Sequence, residues 1–341
     1  MACKKPLKAL VAALLTTMMV AIHAAEPDLA PYESRDEVKK FAAEFSARES
    51  LDEGAILAAL AEAKHLPAVI KYILPPASPT VKSWTRYRAR FIDKTRINAG
   101  LAFWQEHEST LARAEEEFGV PAEIIVGIIG VETIYGRQLG NFQTLSALAT
   151  LAFDYPPRAE LFRRELGELF LLARDNGVPV GLYKGSYAGA LGWPQFLPSS
   201  IRRYAVDYDG DGRISLESSP VDAIGSVASF LSQHGWETGG PIAVPAKVQD
   251  PQRAIALIEA GISPAFNRQD FERLGVSPDA PGAYDKPAAL IDLVTPDAAT
   301  EYWLGYQNFY VITRYNRSSF YAMTVYHLAT AVKQARQQRP N

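Results

Sequence analysis

The chain is nearly devoid of cysteine: among 341 residues there is one, Cys3, so no intrachain disulfide, no four-cysteine metal site and no thiol relay can be built. Histidine is scarce as well, and its five copies show no spacing suited to a metal site. Positive charge is not in excess. Thirty-five Lys and Arg against 38 Asp and Glu leave a formal net charge of -3, and no basic run interleaved with aromatics stands out, so a nucleic-acid surface is not expected. Beyond the first two dozen residues no apolar run is long enough to span a bilayer. There is no internal repeat.

What the N-terminus does have is three early lysines, an apolar stretch from Ala9 to Ile22, then Ala24 and Ala25 before charge returns at Glu26. That is the layout of a secretory signal peptide over residues 1–25, an uncleaved anchor being the other reading. Cys3 precedes the apolar stretch, so it is not the lipid-bearing first residue of a mature protein, and its removal leaves no cysteine at all. An exported, soluble product without a lipid anchor or a membrane span is expected.

Ser34 to about His65 reads as helical, with Ser34 and Glu37 spaced as a capping box. The segment ILPPASPT (73–80) breaks it. A longer helical stretch is expected from Val81 to Phe118, with Trp84, Tyr87, Phe91, Ile97, Leu101 and Trp104 as core. Pro121 starts another helix. Residues 144–153 and 157–174 form two more, 175–212 is loop-rich, and 222–236 is again helical, closed by Gly235. From Thr238 the composition changes. GGPIAVPAKV, AALIDLV and EYWLGYQNFYVITRY hold short β-type runs, so 240–302 reads as a small β-containing insertion before a last helix, SFYAMTVYHLATAVKQARQQ.

The segment EIIVGIIGVETIYGRQLGN (123–141) is apolar on every helical face, so the helix is buried, yet it carries Glu132 in its last turn. Gly127 and Gly130 each cost about 1 kcal/mol of helix propensity relative to alanine, which close packing against a neighbour would offset. Apolar surroundings and the negative end of the helix dipole both disfavour the anion of Glu132. A carboxylic acid kept protonated near neutrality suits general acid catalysis at a glycosidic oxygen. The competing reading is a structural pair with Arg137.

GVETIYGRQLGNFQTLSALATLAFDYPPRAELF (130–162), KGSYAGALGWPQFLPSS (184–200), SPVDAIGSVASFLSQHGW (219–236) and FYVITRYNRSSFYAMTVYHLA (309–329), with WTRYRARFI (84–92) before them, together resemble the lytic murein transglycosylase B family. The resemblance implies an α+β, predominantly helical fold: an N-terminal helical lobe (26–120), a lysozyme-like catalytic core (121–239), the β insertion (240–302) and a return to the core (303–341). It implies that Glu132 is the sole acid/base, cleaving the bond between N-acetylmuramic acid and N-acetylglucosamine in peptidoglycan and closing a 1,6-anhydro ring without water. Asp154 is the nearest second carboxylate, but its FDYPP setting reads as a helix end. By the same resemblance Ser186, Gln195, Phe196, Tyr315, Asn316 and Tyr321 are substrate-binding residues, Phe196 through the sugar face; core packing is the other reading of Tyr321. Two departures are Trp193-Pro194, where smaller or tyrosine-glycine pairs are common, and Phe230, where a tyrosine is expected.

DYDGDGRISLESSPVD (207–222) alternates Asp207, Asp209 and Asp211 before Gly212 and Ile214, as an EF-hand loop begins. The twelfth position is Ser218 rather than glutamate. In the resembling family a longer loop is closed by the aspartate that here is Asp222. The candidate ligands of a structural Ca2+ are Asp207, Asp209, Asp211, Arg213 and Asp222; a metal-free Asp-Gly turn cluster is the alternative. No organic cofactor is expected. Function then reads as a periplasmic lytic transglycosylase, with a hydrolytic muramidase or a non-catalytic peptidoglycan scaffold as alternatives, and with glycan strands and other cell-wall enzymes as partners.

Overall fold

The computed structural model describes residues 30–75, 81–279, 285–296 and 298–338. The leader expected over 1–25, Cys3 included, lies outside them.

A 3-10 turn at Tyr32–Ser34 leads into α1 (Asp36–Glu49), α2 (Glu53–Ala61) and α3 (Pro67–Ile73). The expected capping box is absent: Arg35 is the N-cap of α1, without a side-chain cap, and the Ser34 hydroxyl donates backwards to the Pro31 carbonyl at 2.7 Å. The single long helix expected over 81–118 is three: α4 (Trp84–Ala89), α5 (Lys94–Glu106) and α6 (Glu108–Phe118). Asp93 makes the first break, because its carboxylate accepts the Arg96 N–H at 2.9 Å and starts α5 afresh.

The centre is built from α7 (Ala122–Thr133), α8 (Thr144–Phe153) and α9 (Ala159–Asn176). All ten residues of α8 are buried. Phe41 and Phe45 of α1 stack on one another and reach Phe153 and Phe170 of α8 and α9. Asp154, at the end of α8, fastens the N-terminal lobe: it accepts from the Tyr32 hydroxyl at 2.6 Å and from Arg35 at 2.7 Å, and lies 2.9 Å from the His65 imidazole. Burial alone would raise its pKa, but these hydrogen bonds outweigh it and hold the carboxyl below its ordinary value. Its place is structural.

A two-stranded ribbon, β1 (Phe142–Gln143) with β2 (Lys184–Gly185), precedes α10 (Pro198–Tyr204) and α11 (Pro220–Gln233). The insertion then forms an antiparallel sheet of β3 (Ala243–Val248), β4 (Val276–Pro278), β5 (Ala289–Leu293) and β6 (Glu301–Gly305) in the order β4-β3-β6-β5. Two helices that the sequence reading does not anticipate, α12 (Pro251–Glu259) and α13 (Arg268–Arg273), lie between its strands. Leu290 points into a small core with Leu257, Phe271 and Leu304, whereas Ala289, Ile291 and Leu293 join the main core. Strand β5 is therefore apolar on both faces, which is why AALIDLV runs without alternation. Only the EYWLG part of EYWLGYQNFYVITRY is strand. The remainder is α14 (Gln307–Tyr315), and α15 (Ser319–Gln337) ends the described chain.

Helix α15 packs along α7. A side chain at Gly127 would put its Cβ 2.8 Å from the Val325 carbonyl, and one at Gly130 would run into the Tyr135 hydroxyl and Leu328. The two glycines let a helix carrying an acid lie flush against the C-terminal helix.

Candidate active site

In α7 every residue except Glu123 and Glu132 is buried. The chain then leaves the helix abruptly: Ile134, Tyr135 and Gly136 all have positive φ, at 51°, 55° and 77°. A β-branched residue in the left-handed region is strained, so surrounding contacts must hold it. Thr133 supplies two of them, donating its hydroxyl to the Trp193 carbonyl at 3.0 Å and accepting the Gly136 N–H at 3.0 Å. The Trp193 ring closes over Gly136, where a Cβ would come within 2.5 Å of it.

Glu132 is surrounded by protein on most sides yet keeps partial access to solvent, as a group on the floor of a cleft does. Among the described residues Arg137 is not its partner. Instead the Tyr321 hydroxyl donates to Glu132 Oε1 at 2.5 Å. Desolvation pushes the carboxyl up to about 7, and the Tyr321 hydrogen bond pulls in the other direction without overcoming it. Tyr321 itself is buried, and its own pKa rises well above the ordinary value because of burial and then the neighbouring Glu132 charge. It is thus fixed as a neutral donor. Both readings of Tyr321 hold at once: its ring packs in the core and its hydroxyl addresses the acid.

Tyr315 stacks on Tyr321, with ring centroids 6.3 Å apart and planes at 16°, and its hydroxyl donates to the Pro194 carbonyl at 2.5 Å. Asn316 caps α14 and is exposed. Gln195 sits at φ 51°, and its amide nitrogen donates to the carbonyls of Leu139 (3.2 Å) and Gly192 (2.9 Å). It therefore ties the loop after α7 to the 192–195 turn, with its amide oxygen left for a ligand. Ser186 is half-buried; its hydroxyl oxygen accepts the Ala190 N–H at 3.1 Å, which leaves its proton free to donate outwards.

Phe196 corrects the expectation. It is 2% exposed, packed on Phe230 and Tyr315, and bridged through its backbone to Leu191. The tight 191–196 turn aims its ring inwards, so it supports Tyr315 from behind and offers no face to a sugar. Tyr87 of α4, assigned to the core by its spacing, is half-buried instead, and its pKa is raised by burial and then by the charge of Glu132. Its place beside the acid depends on a contact between distant parts of the chain, which no local pattern signals.

The exposed carboxylates of Asp207, Asp209 and Asp211 bring oxygens within 4.8 Å of one another. Three acids so close, with no cation paired to them among the described residues, suit a hard divalent cation. Asp222 stands apart from the trio, contrary to the expected ligand set. One of its oxygens accepts the N–H groups of Tyr208 (2.8 Å) and Asp209 (3.2 Å), and the other that of Ser215 (2.8 Å). It closes the loop through the backbone. Arg213 could contribute only its carbonyl; its N–H donates to Asp211 at 2.8 Å.

A family described as the transglycosylase SLT domain matches residues 33–330. Membrane-bound lytic murein transglycosylase B of Escherichia coli is 44% identical over 291 residues, 82% of this chain and 78% of that protein. The solved structure of the Escherichia coli lytic transglycosylase Slt35 in complex with calcium superposes with a TM-score of 0.78 at 40% identity, covering 90% of this chain and 94% of that one. That of SltB3 from Pseudomonas aeruginosa in complex with NAG-NAM-pentapeptide gives 0.75 at 27%, covering 87% and 79%. With a half-buried acid at the end of α7 and these matches along most of its length, the chain belongs to the transglycosylase SLT-domain family, alongside lytic murein transglycosylase B.

Proposed function

We infer that this chain is a lytic transglycosylase acting on peptidoglycan, with Glu132 as its one acid/base. The observation that carries the reading is a carboxyl group at the end of an otherwise apolar helix, held by the Tyr321 hydroxyl, where desolvation pushes its pKa up to about 7. At neutral pH a large fraction is protonated, so Glu132 can donate to the oxygen between N-acetylmuramic acid and N-acetylglucosamine as that bond breaks. The resulting Glu132 anion accepts a hydrogen bond from Tyr321. It then takes the proton of the muramoyl 6-hydroxyl as that oxygen attacks the anomeric carbon. Proton and bond counts balance: one glycosidic bond breaks, one intramolecular C–O bond forms, and Glu132 ends protonated as it began. No water enters.

Ordinary glycosidases position two carboxylates about 5–9.5 Å apart. Here Asp154, the second carboxylate considered, is spent on Tyr32, Arg35 and His65, which favours the one-acid route over a hydrolytic muramidase. Ser186 through its hydroxyl, Gln195 through its amide oxygen, and Tyr315, Asn316 and Tyr321 along one wall serve the substrate. A scaffold that only binds glycan has no use for a strained helix end that holds a neutral acid.

The loop of Asp207, Asp209 and Asp211, with the Arg213 carbonyl, would hold Ca2+ and draw strength from it. Slt35 has been solved with calcium. When bound, the cation supplies charge neutralisation and rigidity to the loop, not chemistry at the glycosidic bond. The leader-like sequence over 1–25 and a peptidoglycan substrate support a periplasmic location, and no helix among the described residues is long and apolar enough to cross a membrane. Divisions at 120 and 239 would bound the N-terminal lobe and the acid-bearing core, while the inserted sheet runs past 302, because β6 ends at Gly305.

Digestion of purified sacculi followed by mass spectrometry tests the reading. Released muropeptides should end in 1,6-anhydromuramic acid. Reducing ends would establish hydrolysis instead, and no release would leave the scaffold.

A further inference from the structure

Tyr87 and Phe320 wall a cavity of about 240 Å³ together with Lys82, Ser83, Arg86 and Arg90. Three of its walls are cationic, and among the described residues none of the three makes an ion pair. Elsewhere arginines are matched: Arg35 pairs with Asp154, Arg96 with Asp93, and Arg202 with Glu168 and Asp175. The concentration is also local, since the chain as a whole carries a net charge of -3. Arg86 lies in the short helix α4, Arg90 is its C-cap, and Lys82 stands just before its N-cap Ser83. Like charges gathered around one cavity repel each other, and an anion held between them would relieve that repulsion.

Position decides which anion. Phe320 and Tyr321 are consecutive residues at the start of α15. The first walls the cavity and touches Tyr87, with ring centroids 5.6 Å apart, while the second holds Glu132. Tyr87 walls the cavity and lies near enough to Glu132 for that carboxylate's charge to add to the burial that raises its pKa. Under the transglycosylase reading, on which this inference rests, a muramoyl residue must sit at Glu132. Its lactyl group carries a stem peptide with free carboxylates, and these leave the sugar within a few bonds of the acid. We propose that the Lys82–Arg86–Arg90 cavity is a stem-peptide subsite that binds a carboxylate of the peptide and makes the enzyme prefer peptide-bearing strands over bare glycan. A volume of about 240 Å³ accommodates an acidic side chain or a chain end.

The test compares kcat/KM on two substrates, peptide-bearing glycan strands and the same strands stripped of peptide by an amidase. Variants are Arg86→Ala/Arg90→Ala and the charge-keeping Arg86→Lys/Arg90→Lys, all exposed positions, with melting curves to verify folding. Solvent-exposed ion pairs set the scale, so the wild-type ratio in favour of peptide-bearing strands should fall about three- to tenfold in the alanine pair, mainly through KM. The lysine pair should keep part of it, and salt should erode the wild-type ratio towards that of the alanine pair. A ratio unchanged by the alanine pair, or wild-type activity equal on both substrates, overturns the subsite and leaves the reaction standing. Failure of the wild-type chain to release anhydro ends from either substrate overturns the reaction and the subsite together.

Discussion

Removing one oxygen atom, in Tyr321→Phe, tests the electrostatics of the site most directly. The hydroxyl donates to Glu132 Oε1 at 2.5 Å and is the one side-chain hydrogen bond that works against the burial-driven rise in the acid's pKa. A hydrogen bond to a charged group contributes about 1.5–3 kcal/mol and one to a neutral group about 0.5–1.5. The anion of Glu132 therefore loses about 1–1.5 kcal/mol more than the neutral acid does when the hydroxyl is removed. At 1.36 kcal/mol per pH unit, that difference raises the pKa by about one unit beyond its present value of about 7. Two consequences pull in opposite directions. The falling limb of kcat/KM should move to higher pH by about one unit, because the acid stays protonated longer. The plateau below it should drop up to about tenfold, because a weaker acid donates less readily and its anion is less stabilised. A pH–rate profile on defined strands, with NMR titration of the 13C-labelled glutamate carboxyl, reads both. A limb that stays in place or moves to lower pH would show that Tyr321 does not tune the acid.

Glu132→Gln should lower turnover by at least about 10²–10⁴-fold while keeping glycan binding. It should also change stability with the opposite sign to most active-site losses. The wild-type carboxyl titrates near 7 when folded and near 4.5 when not, so ionisation opposes folding and stability falls as pH rises from 4.5 through 7, by up to about 3 kcal/mol. Glutamine does not titrate, so the melting temperature of the variant should exceed that of wild type at pH 8 and converge with it at pH 4. Gly127→Ala gains about 1 kcal/mol of helix propensity but drives a Cβ to 2.8 Å from the Val325 carbonyl, a backbone atom that cannot step aside. Overpacking costs of about 1–3 kcal/mol should win, seen as a lower denaturant midpoint together with a reduced kcat as α7 and α15 separate. Calcium at a hundred times its dissociation constant should stabilise the fold by about 2.7 kcal/mol, and Asp209→Asn/Asp211→Asn should abolish that rise in melting temperature; a rise that survives in the double variant would place the cation elsewhere.

The acid was legible because α7 breaks a rule: a helix apolar on all sides tolerates a carboxylate only where something is done with it. Helices at 144–153 and 222–236 were legible from periodicity and from their proline and glycine ends. The breaks inside 81–118 were not, since an aspartate in FIDK looks like any surface residue until its carboxylate is seen capping α5. Tyr87 was missed for a related reason. Its spacing matches core residues, and only the packing of α4 against α15 turns it towards Glu132. Phe196 was misread because likeness to a family conveys which residue stands at a position, not which way a tight turn aims it. Asp222 matches the expected ligand in type and place, yet it stands outside the trio whose oxygens converge and instead ties the loop together through the N–H groups of Tyr208, Asp209 and Ser215. In QNFYVITRY aromatic and β-branched residues favour a strand locally, but packing on the neighbouring helices makes it α14.

Glu132 and the hydroxyl that governs it are 189 positions apart in the chain, and the inserted sheet is encoded between them. Any fragment that stops before Tyr321 keeps the acid but not its donor, however much of the helical core it retains.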